Sequence, residues 1–206
     1  MQVPIPDALL TPHKLNRLVL TPSFRKGDFD SHLCDCPFPF RHEGRYWLFY
    51  NAKDRSRWPW REQIGSAWSD DLERWHRCPE NPLVRNAPAG AYDELFASDP
   101  VVLRLGNRWI LFYYGLAADG HARDGAAFSD DLIHWTKPEG GKVLVDVGPV
   151  GAVDSQYAHK PGIITRDGVL YHFYCAVRAA SPGETGEIDT RELRGIAVAT
   201  SRPVGS

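Results

Sequence analysis

Asp35 and Asp99 stand just ahead of two prolines, Pro37 and Pro100, and a third, Pro161, follows His159 and Lys160 at the matching place. Two carboxylates facing each other across a pocket supply what cleavage of a glycosidic bond needs. One group protonates the leaving oxygen, and the other activates water or attacks the sugar. The alternative for each aspartate is a turn cap that accepts a backbone N–H. The tripeptides before the prolines differ: Cys34-Asp35-Cys36, Ala97-Ser98-Asp99 and Ala158-His159-Lys160. Positions that carry a repeated fold should repeat, whereas positions that carry asymmetric chemistry should not. Asp35 and Asp99 are therefore the expected catalytic carboxylates.

Other side chains could complete such a site. Glu94 replaces the serine found at the matching places, Ser31 and Ser155, and is a candidate general acid or a solvated loop residue. His159 is a candidate acid, ligand or hydrogen-bond donor. Lys160 could bind an acidic sugar or lower a neighbour's pKa, or simply pair with a funnel aspartate. Trp58 and Trp60 flank Pro59 among Arg55, Arg57 and Arg61, and exposed tryptophans are platforms for a sugar ring. His121 lies in the corresponding loop of the second copy. Asp30, Asp93 and Asp154 recur in all copies, which suits a structural role, although Asp154 is also placed where substrate could reach it. His32, Cys34 and Cys36 resemble a metal site weakly, because zinc sites space paired cysteines further apart. No metal and no cofactor is expected.

These residues sit on a paragraph of sequence written three times. The copies open at Gly27-Asp28-Phe29-Asp30, Gly90-Ala91-Tyr92-Asp93 and Gly151-Ala152-Val153-Asp154. Each runs through a proline, an apolar stretch, a glycine turn and an aromatic strand such as Tyr46-Trp47-Leu48-Phe49-Tyr50. A repeat of roughly 62 residues built of short strands is a β-propeller blade signature. Each copy is read as four strands. Strand A follows the proline and strand B is the aromatic run. Strand C opens at Gly65, Gly125 or Gly195, and strand D is Pro82-Leu83-Val84 or Lys142-Val143-Leu144-Val145. The expected fold is all-β: one propeller domain over 1–206, with three four-stranded antiparallel blades near 27–84, 90–145 and 151–201. The third copy lacks strand D, so a strand at 17–21 is expected to pair with the last blade and close the ring. Long loops from strand B to strand C gather on one face, which is the expected functional face.

Composition removes several classes. A net charge of -2 over 206 residues argues against a nucleic-acid surface. No apolar run is long enough to span a bilayer. The N-terminus lacks a basic region followed by an apolar core, so a cytoplasmic protein is expected. Four cysteines are too few for a disulfide scaffold at this length. There is no phosphate-cradling glycine loop and no nucleophile elbow.

Asp99-Pro100-Val101-Val102, followed by Gly106 and Trp109-Ile110-Leu111-Phe112-Tyr113, resembles the blade opening of the glycoside hydrolase propellers. So do Gly65-Ser66-Ala67 running to Trp75, and its twin from Gly125 to Trp135. That group includes arabinanases, β-xylosidases, invertases and levansucrases, which are five-bladed. The resemblance implies Asp35 as base or nucleophile and Asp99 as the orienting, pKa-modulating carboxylate. In the third copy His159-Lys160 stands where the family's glutamate acid would be expected, so the acid is sought at Glu94, Glu184, Glu187 or His159. The expected function is hydrolysis of a small sugar or oligosaccharide. The alternatives are a non-catalytic carbohydrate-binding propeller and a homo-oligomeric scaffold.

Overall fold

The structure, a computed structural model, describes residues 11, 13–56, 58–185 and 190–203. Its strands are β1 (Leu33–His42), β2 (Arg45–Asp54), β3 (Arg61–Ser69), β4 (His76–Arg77), β5 (Phe96–Leu105), β6 (Arg108–Leu116), β7 (Ala122–Ser129), β8 (Tyr157–Arg166), β9 (Val169–Ala179) and β10 (Glu192–Thr200). They form one open sheet in the order β1-β2-β3-β5-β6-β7-β8-β9-β10, with β4 on β3. Three antiparallel units, β1–β3, β5–β7 and β8–β10, follow one another. Short parallel pairings join them, Glu62 with Phe96 and Ala122 with Tyr157. The start of each incoming first strand is thus held against the start of the previous unit's third strand.

The repeated motifs fold in the same way each time. Gly44, Gly106 and Gly168 take positive φ and turn the first strand of each unit into the second. In the first unit Ser69 Oγ accepts the Leu72 amide, Asp71 Oδ1 accepts the amides of Glu73 and Arg74, and Trp75 Nε1 donates to the Leu72 carbonyl. Ser129, Asp131 and Trp135 repeat every one of these bonds. Trp135 then sets its edge against Phe49 of the first unit, with ring centroids 5.6 Å apart, and so packs between units as its sequence position suggests.

Glycine has a packing role at the middle of the third strands. Gly65 lies opposite Tyr50, and Gly125 lies opposite Tyr113. A Cβ at Gly65 would overlap the Phe29 ring, and one at Gly125 would overlap the Tyr92 ring. In the third unit the residue opposite Tyr174 is Ala197, two positions beyond the glycine expected there, Gly195. The loop residue matching Phe29 and Tyr92 is Val153, which is exposed. The third unit therefore omits the aromatic and with it the need for glycine.

Two expectations are corrected. Among the described residues the ring is not closed by the N-terminal segment: β10 pairs there only with β9, and Leu20 packs against Tyr50, Ala52 and Ala67 of the first unit. Arg17 pairs with Glu73 and donates to its carbonyl, so the segment finds both its apolar and its polar partners close by. The fourth strands are also reduced. Ile64–Val84 and Asp124–Val145 are isolated bridges, and β4 has two residues. Phe173, matching the buried Phe49 and Phe112, is 41% exposed, since among the described residues nothing covers the outer face of the third unit. Among the described residues no helix is long and apolar enough to cross a membrane.

Candidate active site

The start of each first strand carries a β-bulge. The register slips between Asp35 and Phe38, between Ser98 and Val101, and between His159 and Gly162. Each slip contains a proline, which cannot donate to the ladder. The residue before each proline, Cys36, Asp99 or Lys160, has a left-handed backbone with φ of 49, 53 and 65°. Such a conformation costs about 1–3 kcal/mol in a non-glycine residue, and bulges of this kind re-aim side chains at functional sites. The two aspartates take different steps of this bulge. Asp35 lies in register with Asn51, as Ser98 does with Tyr114 and His159 with Cys175. Asp99 occupies the strained step.

One thiol marks where the acidic groups converge. Burial pushes the Cys36 thiol up to about 12, and Asp99, Asp35 and Glu62 beside it add to the rise. Cys36 is held as a neutral thiol, while three carboxyl groups from β1, β3 and β5 share its surroundings. Asp35 is exposed, and its Oδ1 accepts the Cys36 amide at 2.8 Å. Asp99 Oδ2 lies 3.8 Å from Lys160 Nζ. The ion pair that is the simple role of Lys160 is therefore present.

Glu62 is the residue that reading the first strands alone misses. It begins β3 and is buried. Its Oε1 accepts from Ser98 Oγ at 3.1 Å and from Asn51 Nδ2, and its Oε2 pairs with Lys53 Nζ at 3.1 Å. Burial pushes its carboxyl above the usual range against the pull of Lys53 and Ser98, and Asp99 adds to the rise. The signal was present in the repeat: counted back from Gly65 and Gly125, Glu62 stands where the second copy has Ala122.

His159 is buried beside the hub. Its Nδ1 lies 3.1 Å from the Cys175 carbonyl and must donate there, since a carbonyl only accepts. Its ring meets Tyr114 edge-on with centroids 5.4 Å apart. Burial lowers its pKa from the ordinary imidazole value. Glu94 is held elsewhere: its oxygens accept the amides of Gly90 at 2.7 Å and Ala118 at 2.5 Å, a loop-bracing role. Glu184 is exposed and pairs with Arg178, which pulls its carboxyl to about 2. Arg57 and Glu187 lie outside the described residues. Asp154 accepts the Tyr174 hydroxyl at 2.7 Å, as Asp93 accepts that of Tyr113 at 2.8 Å, so these two tie their loops to the second strands, whereas Asp30 accepts from Arg77 Nε at 2.9 Å. His121 joins two loops through the Gln156 carbonyl at 2.9 Å.

The rim beside the hub is aromatic and basic. Trp58 and Trp60 meet edge to face at 5.2 Å, and the Arg55 guanidinium lies 4.6 Å above the Trp60 ring. Lys53, the partner of Glu62, lies 5.9 Å from the same ring, which connects this platform to the carboxyl hub. Among the described residues no group of three or more His, Cys, Asp or Glu side chains could hold a metal ion.

This all-β arrangement has counterparts among solved proteins. The fold is that of the propeller-type glycoside hydrolases. BT0996, solved in a complex with RGII, matches with a TM-score of 0.68 and 28% identity over 93% of this chain and 52% of its own. Zg3597, a family 117 glycoside hydrolase from Zobellia galactanivorans, matches with a TM-score of 0.65 and 17% identity over 88% of this chain and 56% of its own. The Bombyx mori GH32 β-fructofuranosidase BmSUC1 matches with a TM-score of 0.59 and 15% identity over 80% of this chain and 33% of its own. The chain thus spans about half the length, or less, of these structures. No protein-family model and no curated protein sequence matches it.

Proposed function

We propose that the protein is a glycoside hydrolase-like enzyme that cleaves a glycosidic bond in a small sugar or oligosaccharide at the hub formed by Asp35, Glu62 and Asp99. The observation that carries this reading is the chain of contacts linking the three carboxyl groups: Asp35 lies in register with Asn51, Asn51 and Ser98 both donate to Glu62, and Ser98 Oγ lies 3.4 Å from Asp99 Oδ1. Their environments differ, and that is how two or more carboxyl groups come to act as acid and base at one pH. Asp35 is the most exposed and suits the base or nucleophile. Asp99, beside Lys160, suits the orienting carboxylate. Glu62, whose burial favours its protonated form, replaces Glu94 as the acid. Trp58 and Trp60 supply a stacking platform for the sugar.

The acid assignment has a direct test. Aryl glycosides with an activated leaving group need little protonation, whereas natural oligosaccharides need it fully. In a screen of both classes, Glu62→Gln is expected to lose roughly 10²–10⁴-fold on oligosaccharides and far less on nitrophenyl glycosides. Equal losses on both would remove Glu62 as the acid. A second reading, a carbohydrate-binding propeller without turnover, is favoured by one observation: both Glu62 oxygens are already engaged, by Asn51, Ser98 and Lys53. Saccharide binding with no cleavage across the whole screen would select it.

A further inference from the structure

The loop between β2 and β3 holds a cation whose head is unmatched among the described residues. The Arg55 backbone amide donates to His32 Nδ1 at 3.2 Å, and its guanidinium lies over the Trp60 ring. Both ends of the side chain are therefore positioned, yet among the described residues the guanidinium makes no ion pair and no hydrogen bond. Its neighbours are all matched. Arg61 Nη1 donates to the carbonyls of Pro59 at 3.0 Å and Trp60 at 3.3 Å. Lys53 pairs with Glu62, and Lys160 faces Asp99. Asp54, at the base of the loop, accepts Ser31 Oγ and the Ser56 amide. Next to this cation Trp58 is 79% exposed, a large apolar surface standing in solvent.

A flat guanidinium pre-set on an aromatic ring loses little freedom on binding and matches the geometry of a carboxylate at two points. An exposed indole beside it matches the apolar face of a sugar ring. Through Trp60, Lys53 and Glu62 the pair adjoins the carboxyl hub. We propose that this loop is an acidic-sugar subsite, in which Arg55 grips the ring carboxylate of a uronic acid and Trp58 stacks on that ring. This deepens the carbohydrate reading above and names its substrate class.

The test measures binding, so that it stands apart from turnover. Glucuronate- and galacturonate-containing di- and trisaccharides, each paired with its methyl ester, are titrated calorimetrically into Asp99→Asn protein and into Asp99→Asn/Arg55→Gln protein. The ester keeps the ring and removes the charge. For at least one pair the acid is expected to bind about tenfold more tightly than the ester, a preference that shrinks at high salt and disappears with Arg55→Gln. Because Arg55 is exposed and makes no ion pair among the described residues, its replacement should leave the melting transition in place, which is checked on the same samples. Equal binding of acid and ester, no binding of either in any pair, or a preference that survives Arg55→Gln overturns the proposal. If the preference is present but the wild-type protein leaves every such saccharide uncut, the subsite stands and the hydrolase reading falls.

Discussion

The two junctions between repeat units are built on one plan and filled with opposite chemistry. Where the first unit meets the second, Ile64 and Leu111 are fully buried in a cluster that also holds Trp47, Phe49, Trp109 and Tyr113. At the matching places where the second unit meets the third stand Asp124 and His172, also buried, with His172 Nε2 2.9 Å from Asp124 Oδ2. The apolar cluster at that second junction has four buried residues against fourteen in the first. Asp124 Oδ1 has no hydrogen-bond partner among the described residues. Burial pushes the Asp124 carboxyl up to about 6, against the pull of His172, and the nearby Asp99 charge adds to the rise. A propeller position that packs as hydrocarbon in one copy can thus carry an ionisable pair in the next. The third unit, bare on its outer face as well, should be the more weakly attached.

Breaking the pair from one side should have the largest effect. His172→Leu leaves a buried carboxyl without its partner and is expected to cost about 3–5 kcal/mol in urea unfolding. An effect below about 1 kcal/mol would show that the pair is not buried in solution. At the first junction Leu111→Ala should cost about 2–5 kcal/mol through the cavity it leaves, with no dependence on pH. Transplanting the first junction into the second, as Asp124→Ile with His172→Leu, should be neutral or stabilise by about 1–4 kcal/mol. Destabilisation would mean that the polar pair sets the packing of the third unit.

The smallest effect is on pH dependence. The folded carboxyl of Asp124 binds its proton more tightly than the unfolded one does. Its contribution is therefore fully present below about pH 4 and lost as pH rises through about 6. His172, Asp99, Tyr92 and Tyr174 are the titratable groups facing it. The melting temperature of Asp124→Asn should gain on that of the wild type between pH 4 and pH 7. A constant difference would contradict the assignment.

The readable and unreadable parts of this chain separate by the range of the interactions involved. The turn at Ser69 to Trp75 and its twin at Ser129 to Trp135 were legible because every bond closes within a few residues. The hairpins and the aromatic second strands followed from the same local patterns, whereas the first strands, expected to begin after the prolines, start ahead of them and bulge there. The ring closure was not legible, because Leu20 had two apolar destinations and sequence does not rank them; Tyr50 and Ala67 of its own unit took it. The third strand of the last unit slipped by two residues because a matching glycine, Gly195, outweighed the pairing of Ala197 with Tyr174. Asp35 and Asp99 stood out as candidates when the copies were compared at the first strands. Glu62 was overlooked because its partner strand and its lysine come together only in three dimensions.

Hydrolysis of a confirmed saccharide substrate by wild-type protein and by Asp35→Asn, with melting curves on both, tests the central claim most directly. Catalysis by the Asp35, Glu62 and Asp99 hub predicts a wild-type enzyme and an Asp35→Asn protein that folds normally but has lost turnover by about a hundredfold or more. Undiminished turnover by Asp35→Asn would contradict it.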